Sequence, residues 1–297
     1  MMLSIVDAPS VLGLFPRGVE TLPAALHRHD LAGRLGVSRH RSLVPPAYSP
    51  ERDLATGINN AAGIVAFTRT LADTVTAELD AGAFPLVLGG DCTIMFGPLL
   101  ALAGRERHGL FFLDGHADFA HPQDEPSGEA ASMDLALATG HGPMVFDPTG
   151  TFDPLIDDDR VAVLGYRVHD DGTDTNLGIN IRDTAITAID LDDMRRRGVM
   201  RATADAIEVV AREDLSGFWI HLDVDVLDDD LMPAVDYRSP GGLSWEELTL
   251  IVSSALATGR ARGMDVAIFN PRLDPGGNIA ERLVAFLVDC LAPQSSW

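Results

Sequence analysis

The sequence predicts a three-layer α/β/α sandwich around a mainly parallel sheet. Short, near-continuous apolar runs recur along the chain, and segments of helical period separate them. Runs of this kind suit strands covered on both faces by helices, where polar alternation is not required. Acidic residues also cluster directly after several of the runs. In open parallel sheets that carboxyl end is where ligands sit.

With no basic n-region and with Asp7 soon after the start, "MLSIVD" (2–7) reads as a first strand rather than a secretory leader. The polar region that follows holds His27, His29 and His40, which read as solvated. A helix is expected over 60–81, then the strand "FPLVLGG" (84–90) and a helix over 92–104. His108 precedes the strand "GLFFLDG" (109–115) and reads as solvated, as does His121 in a proline-containing loop. "RVAVLGY" (160–166) and "AITAID" (185–190) are strands, and 191–213 has a helical pattern. "GFWIHLDVD" (217–225) and "RGMDVAIF" (262–269) complete the strands, with helices over 245–258 and 276–292. Ser244 before "WEEL" is a capping box, in which the hydroxyl caps the helix and Glu247 reaches back. With no repeat, low-complexity tract or linker, residues 1–297 are expected to form one domain.

Composition narrows the function. The 297 residues are 46% hydrophobic with mean hydropathy +0.11, enough for a large core. No apolar run approaches the ~20 residues that span a bilayer. Against 22 basic residues stand 44 acidic ones, a net charge of −22 and a pI near 4.5. That excess disfavours nucleic acid and anionic membranes as partners, which require clustered basic residues. It chiefly reports solubility, and it is compatible with a cationic substrate. The chain contains no lysine, so a P-loop lysine and a Schiff-base lysine are both excluded. Two cysteines, Cys92 and Cys290, are too few for a disulfide framework, and Cys290 in "LVDCLA" reads as a small buried residue. A cytoplasmic enzyme is expected.

The chemistry concentrates in "FLDGHAD" (112–118) and "IHLDVD" (220–225). Asp114, His116 and Asp118 alternate along an extended segment and can project to one side. Asp223 and Asp225 repeat the pattern, and the two groups converge if their strands are neighbours. Charges at the mouths of buried strands are costly unless paired. Four carboxylates without a lysine or nearby arginine imply more than one divalent ion. Oxygen donors with one imidazole suit manganese.

"LGGDCT" (88–93), "DGHAD" (114–118) and "HLDVDVLDDDLMP" with "SPGGLSWEE" (221–247) resemble, in order, the signature blocks of the ureohydrolases, the arginase and agmatinase family. The resemblance implies an eight-stranded parallel sheet, two manganese ions, and hydrolysis of guanidino or amidino carbon–nitrogen bonds in a small-molecule substrate. It also implies a homo-oligomer. By motif position Asp114 and Asp223 would bridge the two ions, Cys92 and Asp118 would complete one ligand set, and His116 and Asp225 the other. Two such ions acidify a shared water toward neutrality, and Asp118 would hold it by a hydrogen bond. His141 in "ATGHGPM" falls where the arginase branch has a proton-shuttling histidine, a task suited to imidazole. Asp91 is expected to support the ligands by hydrogen bonding. For Arg167, a carboxylate anchor and a structural salt bridge are both open, and His169 and His221 are open as site or core residues. The acidic runs 157–159 and 228–230 read as solvated loops, although Asp228 falls in the third block.

Two positions depart from the family pattern. Cys92 stands where histidine is usual, a softer ligand that makes zinc or iron more competitive. Ile268 stands where arginases and agmatinases carry a glutamate for the guanidinium, and Asp265, three residues away on a strand, points to the other face. Residues 119–121 ("FAH") also lack the polar character with which arginases grip an amino acid's carboxylate. The substrate is therefore left open between guanidino compounds and less basic ones such as an N-hydroxyguanidine or a formimino compound. A single-zinc amide deacetylase on the same fold, or a metal-stabilised non-catalytic member, are the alternatives.

Overall fold

The computed structural model describes residues 2–105, 107–143, 154–168 and 180–292. Its strands are β1 (Met2–Asp7), β2 (Arg39–Ser42), β3 (Ala83–Leu88), β4 (Gly109–Leu113), β5 (Val161–Leu164), β6 (Thr187–Ile189), β7 (Phe218–Asp223) and β8 (Ala261–Ala267). They form one sheet in the order β2-β1-β3-β8-β7-β4-β5-β6, and every pairing is parallel. The eight-stranded parallel sheet expected from the sequence is what the chain builds.

Strands β3, β4, β5 and β7 are buried at every residue, which is why their sequences run apolar without alternation. β2 is the exception. Its sequence RHRS is polar and largely exposed, and it pairs only with β1 at the edge of the sheet. An edge strand needs no apolar run, so no strand is expected there from sequence.

The helices are α1 (Leu22–Arg28), α2 (Leu31–Leu35), α3 (Ala61–Asp80), α4 (Phe96–Ala103), α5 (Asp134–Ala138), α6 (Leu191–Arg197), α7 (Val199–Val210), α8 (Trp245–Ala257) and α9 (Asn278–Leu291). α3 packs on α4 and against β1 and β3, while α7 packs on α8, α8 on α9, and α9 on α1 and α2. These two groups are the outer layers. The helix expected over 191–213 divides at Gly198, whose φ of 84° no helix accommodates. The Ser244 capping box is present, with Ser244 Oγ accepting from Glu247 N at 3.2 Å and Glu247 Oε2 accepting from Ser244 N at 2.8 Å. Among the described residues no helix is long and apolar enough to cross a membrane.

Register brings the acidic motifs together. Leu113 of β4 pairs with Leu222 of β7, and Asp223 pairs with Ala267 of β8. Asp114, Asp223 and Ile268 therefore emerge side by side at the carboxyl edge. Leu88 pairs with Val266, so the turn after β3 brings Cys92 to the same place.

Candidate metal centre

Each candidate ligand is fixed by the backbone that follows its strand. After β3, Asp91 caps a 3-10 turn over Cys92–Met95: its carboxylate accepts from Thr93 N at 3.0 Å, from the Thr93 hydroxyl, and from Ser10 Oγ at 2.8 Å. Asp91 thus orients Cys92 through the turn, the supporting part expected of it. After β4, the amides of the turn point back at the acids: His116 N donates to Asp114 Oδ1 at 2.6 Å and Gly115 N to Asp225 Oδ1 at 3.0 Å. Gly115 is required for this approach. A Cβ there would lie 1.7 Å from Arg167 Nη1 and 2.6 Å from the Asp225 carbonyl. After β7, Asp225 N donates to Asp223 Oδ1 at 2.7 Å.

The predicted ligands meet as a result, and Asp134 and His221 join them. Cys92 Sγ donates to Asp223 Oδ2 at 3.0 Å, and His116 Nδ1 lies 3.0 Å from Asp225 Oδ2. Ligand atoms of Asp114, His116 and Asp225 lie within 4.8 Å of one another, as do those of Cys92, Asp118 and Asp134, and those of Cys92, Asp114 and His221. Asp114 belongs to two of these groups, and its Oδ2 is buried without a hydrogen-bond partner. An orphaned carboxylate oxygen between two ligand groups fits a shared cation. Sulfur, nitrogen and carboxylate donors together fit divalent first-row metals.

The electrostatics agree. Burial, then the charges of Asp118 and Asp225, pushes the Asp114 carboxyl well above the usual range. Burial does the same to Asp118, Asp134 and Asp223, each reinforced by neighbouring carboxylates. Burial also drives the Cys92 thiol up, helped by Asp223, Asp134, Asp114 and Asp118. Asp225 is the exception, because His116 and Arg167 more than offset its burial and hold its carboxyl down. So many acids cannot ionise together in one buried cluster without added positive charge.

A cavity of about 300 Å³ opens on the cluster, with Cys92, His116, Asp118, Asp223 and Asp225 in its lining. Ile268 forms part of the wall. It is 5% exposed, at a φ of 74° that is strained for a β-branched residue, and its amide donates to Gly90 O at 2.8 Å. Asp118 also has positive φ, 44°. Glu129 lines the cavity too, held by Tyr237 Oη at 2.7 Å and Phe15 N at 2.8 Å, as does Glu125.

A model described as the arginase family matches residues 5–292, nearly the whole chain. The chain belongs to the arginase family. The arginase of Staphylococcus aureus (strain COL) is 28% identical over 96% of this chain and 95% of its own. The structure of arginase from Bacillus caldovelox superposes with a TM-score of 0.87 at 26% identity, over 99% of both chains. The formimidoylglutamase of Bacillus subtilis shares the fold, with a TM-score of 0.72 at 18% identity over 97% of this chain and 85% of that one. Arginase-family proteins are hydrolases of guanidino-type carbon–nitrogen bonds that generally use a dinuclear metal centre, and this chain is an enzyme of that class.

Several sequence-predicted residues have surroundings other than those expected. His141, expected as a proton shuttle, does not line the cavity. Its Nε2 lies 2.9 and 3.0 Å from the Asp158 oxygens, and its ring packs on Phe119 at 5.1 Å. Among the described residues Arg167 forms no ion pair. It donates to the carbonyls of Asp225 (2.7 Å), Leu227 (2.8 Å) and Ser239 (3.1 Å), and so clamps the loop after β7. His108 is buried rather than solvated, and His27 and His40 both pair with Asp7, at 2.9 and 2.7 Å. The acidic loops are solvent-facing, and two of their acids also bond: Asp158 holds His141, and Asp228 Oδ2 accepts from Gly241 N at 2.8 Å. His169 lies outside the described residues. Asp134 and Glu129 were not singled out from sequence. A lone acid inside the apolar stretch "SMDLALA" was the available signal for the first.

Proposed function

We propose that this arginase-family enzyme hydrolyses a linear amidine, guanidine or N-hydroxyguanidine with two divalent ions, manganese by its oxygen-rich ligand set, and that its reacting group is less basic than a simple guanidinium. What carries the proposal is the meeting of Cys92, His116, Asp118, Asp223 and Asp225 on one cavity, backed by the orphaned Asp114 Oδ2 behind them. Cys92 and Asp118 would hold one ion, His116 and Asp225 the other, with Asp114 and Asp223 shared. When bound, two such ions supply Lewis acidity and a water acidic enough to ionise near neutral pH. The thiolate of Cys92 makes zinc or iron competitive with manganese at its position. Two free cysteines suit a reducing, cytoplasmic compartment.

The chain's own residues do the rest. Asp118, in the cavity lining, would hold the nucleophile by a hydrogen bond. Leu14, Ala131 and Ile268 line the cavity with apolar surface, which keeps water from the planar group under attack. Glu125 and Glu129 make the remaining lining acidic, and no arginine lines it among the described residues. That lining suits a neutral or cationic tail and gives a substrate carboxylate no partner. Two dedicated ligand groups count against the single-zinc alternative. Metal content measured together with product release across arginine, agmatine, N-hydroxyguanidines and formimino compounds tests the proposal. A protein that binds two ions yet cleaves none of them would point to the non-catalytic alternative.

Ile268→Glu is expected to raise turnover of arginine or agmatine about tenfold or more relative to less basic substrates, because a charge-assisted pair replaces an apolar contact. Glutamate is also unbranched at Cβ and sits more easily at positive φ. Wild-type enzyme that prefers arginine over every analogue, and loses that preference in the variant, would place the clamp elsewhere. His141→Asn is expected to lower turnover by less than about tenfold, against the ~10²–10⁴-fold of a proton-transferring imidazole. A larger loss at unchanged metal content would return the shuttle to His141.

A further inference from the structure

His221 sits two residues before Asp223 on β7, so both side chains leave the same face of the sheet. It is fully buried. Asp265 faces it across the β7–β8 pairing and takes Nδ1 at 2.5 Å, while also accepting from Trp219 Nε1 at 2.5 Å. Phe112 of β4 stacks on the ring, with centroids 4.7 Å apart at 28°. A ring gripped in this way has its tautomer and direction set. The carboxylate accepts a hydrogen bond from Nδ1–H, and Nε2 is left with its lone pair. Nε2 has no hydrogen-bond partner.

Cys92 Sγ, a carboxylate oxygen of Asp114 and a ring nitrogen of His221 lie within 4.8 Å of one another, all buried. Asp114 Oδ2 and both oxygens of Asp134 are orphaned in the same region. A buried polar atom without a partner is costly, and several converging on one thiol call for a common partner. A direct Cys–His pair does not meet that need, because the thiol already donates to Asp223 and Nε2 accepts nothing. The separation instead suits two ligands of one ion, each about 2.0–2.3 Å from it.

We propose that His221 is a ligand of the ion beside Cys92, with Asp265 as its positioning residue. The imidazole nitrogen that is missing at residue 92 is thereby supplied from β7. The inference rests on the dinuclear centre proposed above. It assigns that ion a mixed sulfur and nitrogen environment, which shifts preference from manganese toward zinc.

The test is titration of the metal-depleted full chain with Mn²⁺, Zn²⁺ and Co²⁺. Wild type is expected to bind two ions, with a thiolate-to-cobalt absorption from the Cys92 position. His221→Asn is expected to keep the ion at His116 and Asp225. The other should weaken by more than the ~10–100-fold that loss of a supporting hydrogen bond gives, with a changed cobalt spectrum. Asp265→Asn should fall within that ~10–100-fold range. Cys92→His, added to His221→Asn, should restore the lost affinity. A His221→Asn protein that binds both ions with wild-type affinity and an unaltered cobalt spectrum overturns the inference and leaves the dinuclear centre standing. Wild type binding fewer than two ions overturns the dinuclear centre itself. Should His221→Asn fail to fold, pulsed EPR of manganese-loaded His116→Ala decides: a remaining nitrogen coupling supports His221, and its absence overturns it.

Discussion

Asp114→Asn is expected to abolish tight binding of both ions and to lower kcat/KM by ~10⁴-fold or more, about 5 kcal/mol of transition-state stabilisation. The expectation follows from position. Asp114 alone belongs both to the group with His116 and Asp225 and to the group with Cys92 and His221, and its Oδ2 has no other partner. An asparagine keeps the shape and can still accept from His116 N, as Oδ1 does at 2.6 Å, but it removes the charge that two cations would share. Without metal the same substitution should stabilise the fold, since it deletes one acid from a cluster whose members raise one another's pKa. Opposite effects on the two forms separate a ligand from a merely structural residue. Wild-type metal content in Asp114→Asn would remove the shared-ligand role.

What could be read from the sequence was whatever depends on local pattern. Apolar runs followed by acids marked β3, β4 and β7 and their carboxyl ends, because a fully covered strand and its ligand-bearing turn are adjacent in the chain. Convergence of Asp114 with Asp223 was conditional on β4 and β7 being neighbours, and their pairing fulfils the condition. Features set by distant partners were not readable. β2 is stabilised by its edge pairing with β1 rather than by its own composition. His141 sits at a family-like sequence position, yet Asp158, 17 residues later, captures its ring nitrogen. Arg167 lies beside the site, but its partners are carbonyls about 60 or more residues away, which no spacing rule announces. Asp265 illustrates both sides. Strand alternation set it apart from Ile268, which in fact lies beyond the end of β8 at positive φ, while its grip on His221 and Trp219 depends on the β7–β8 register.

Metal-free protein is expected to lose stability as pH rises from about 5 to 7, whereas metal-loaded protein should not. The folded-state carboxyls of Asp114, Asp118, Asp134 and Asp223 are raised, first by burial. In the unfolded chain the same groups ionise near the ordinary value of ~3.9. Above that pH the unfolded state binds fewer protons than the folded one, so the slope of unfolding free energy with pH is negative. Each proton retained only by the folded state lowers stability as pH rises, and a falling Tm reports it. Asp225 works the other way: its lowered carboxyl gives stability above the ordinary range that is lost as pH falls. At alkaline pH the raised Cys92 thiol adds to the loss. Divalent cations reverse the sign, because the carboxylates and thiolate must be deprotonated to bind them, so metal affinity grows over the same pH range in which the bare cluster becomes unstable. Melting curves with chelator and with manganese, taken at several pH values, should therefore diverge as pH rises. If chelated protein instead gained stability between pH 5 and 7, the cluster would be a set of satisfied carboxylates, and the case for a cation between them would fail.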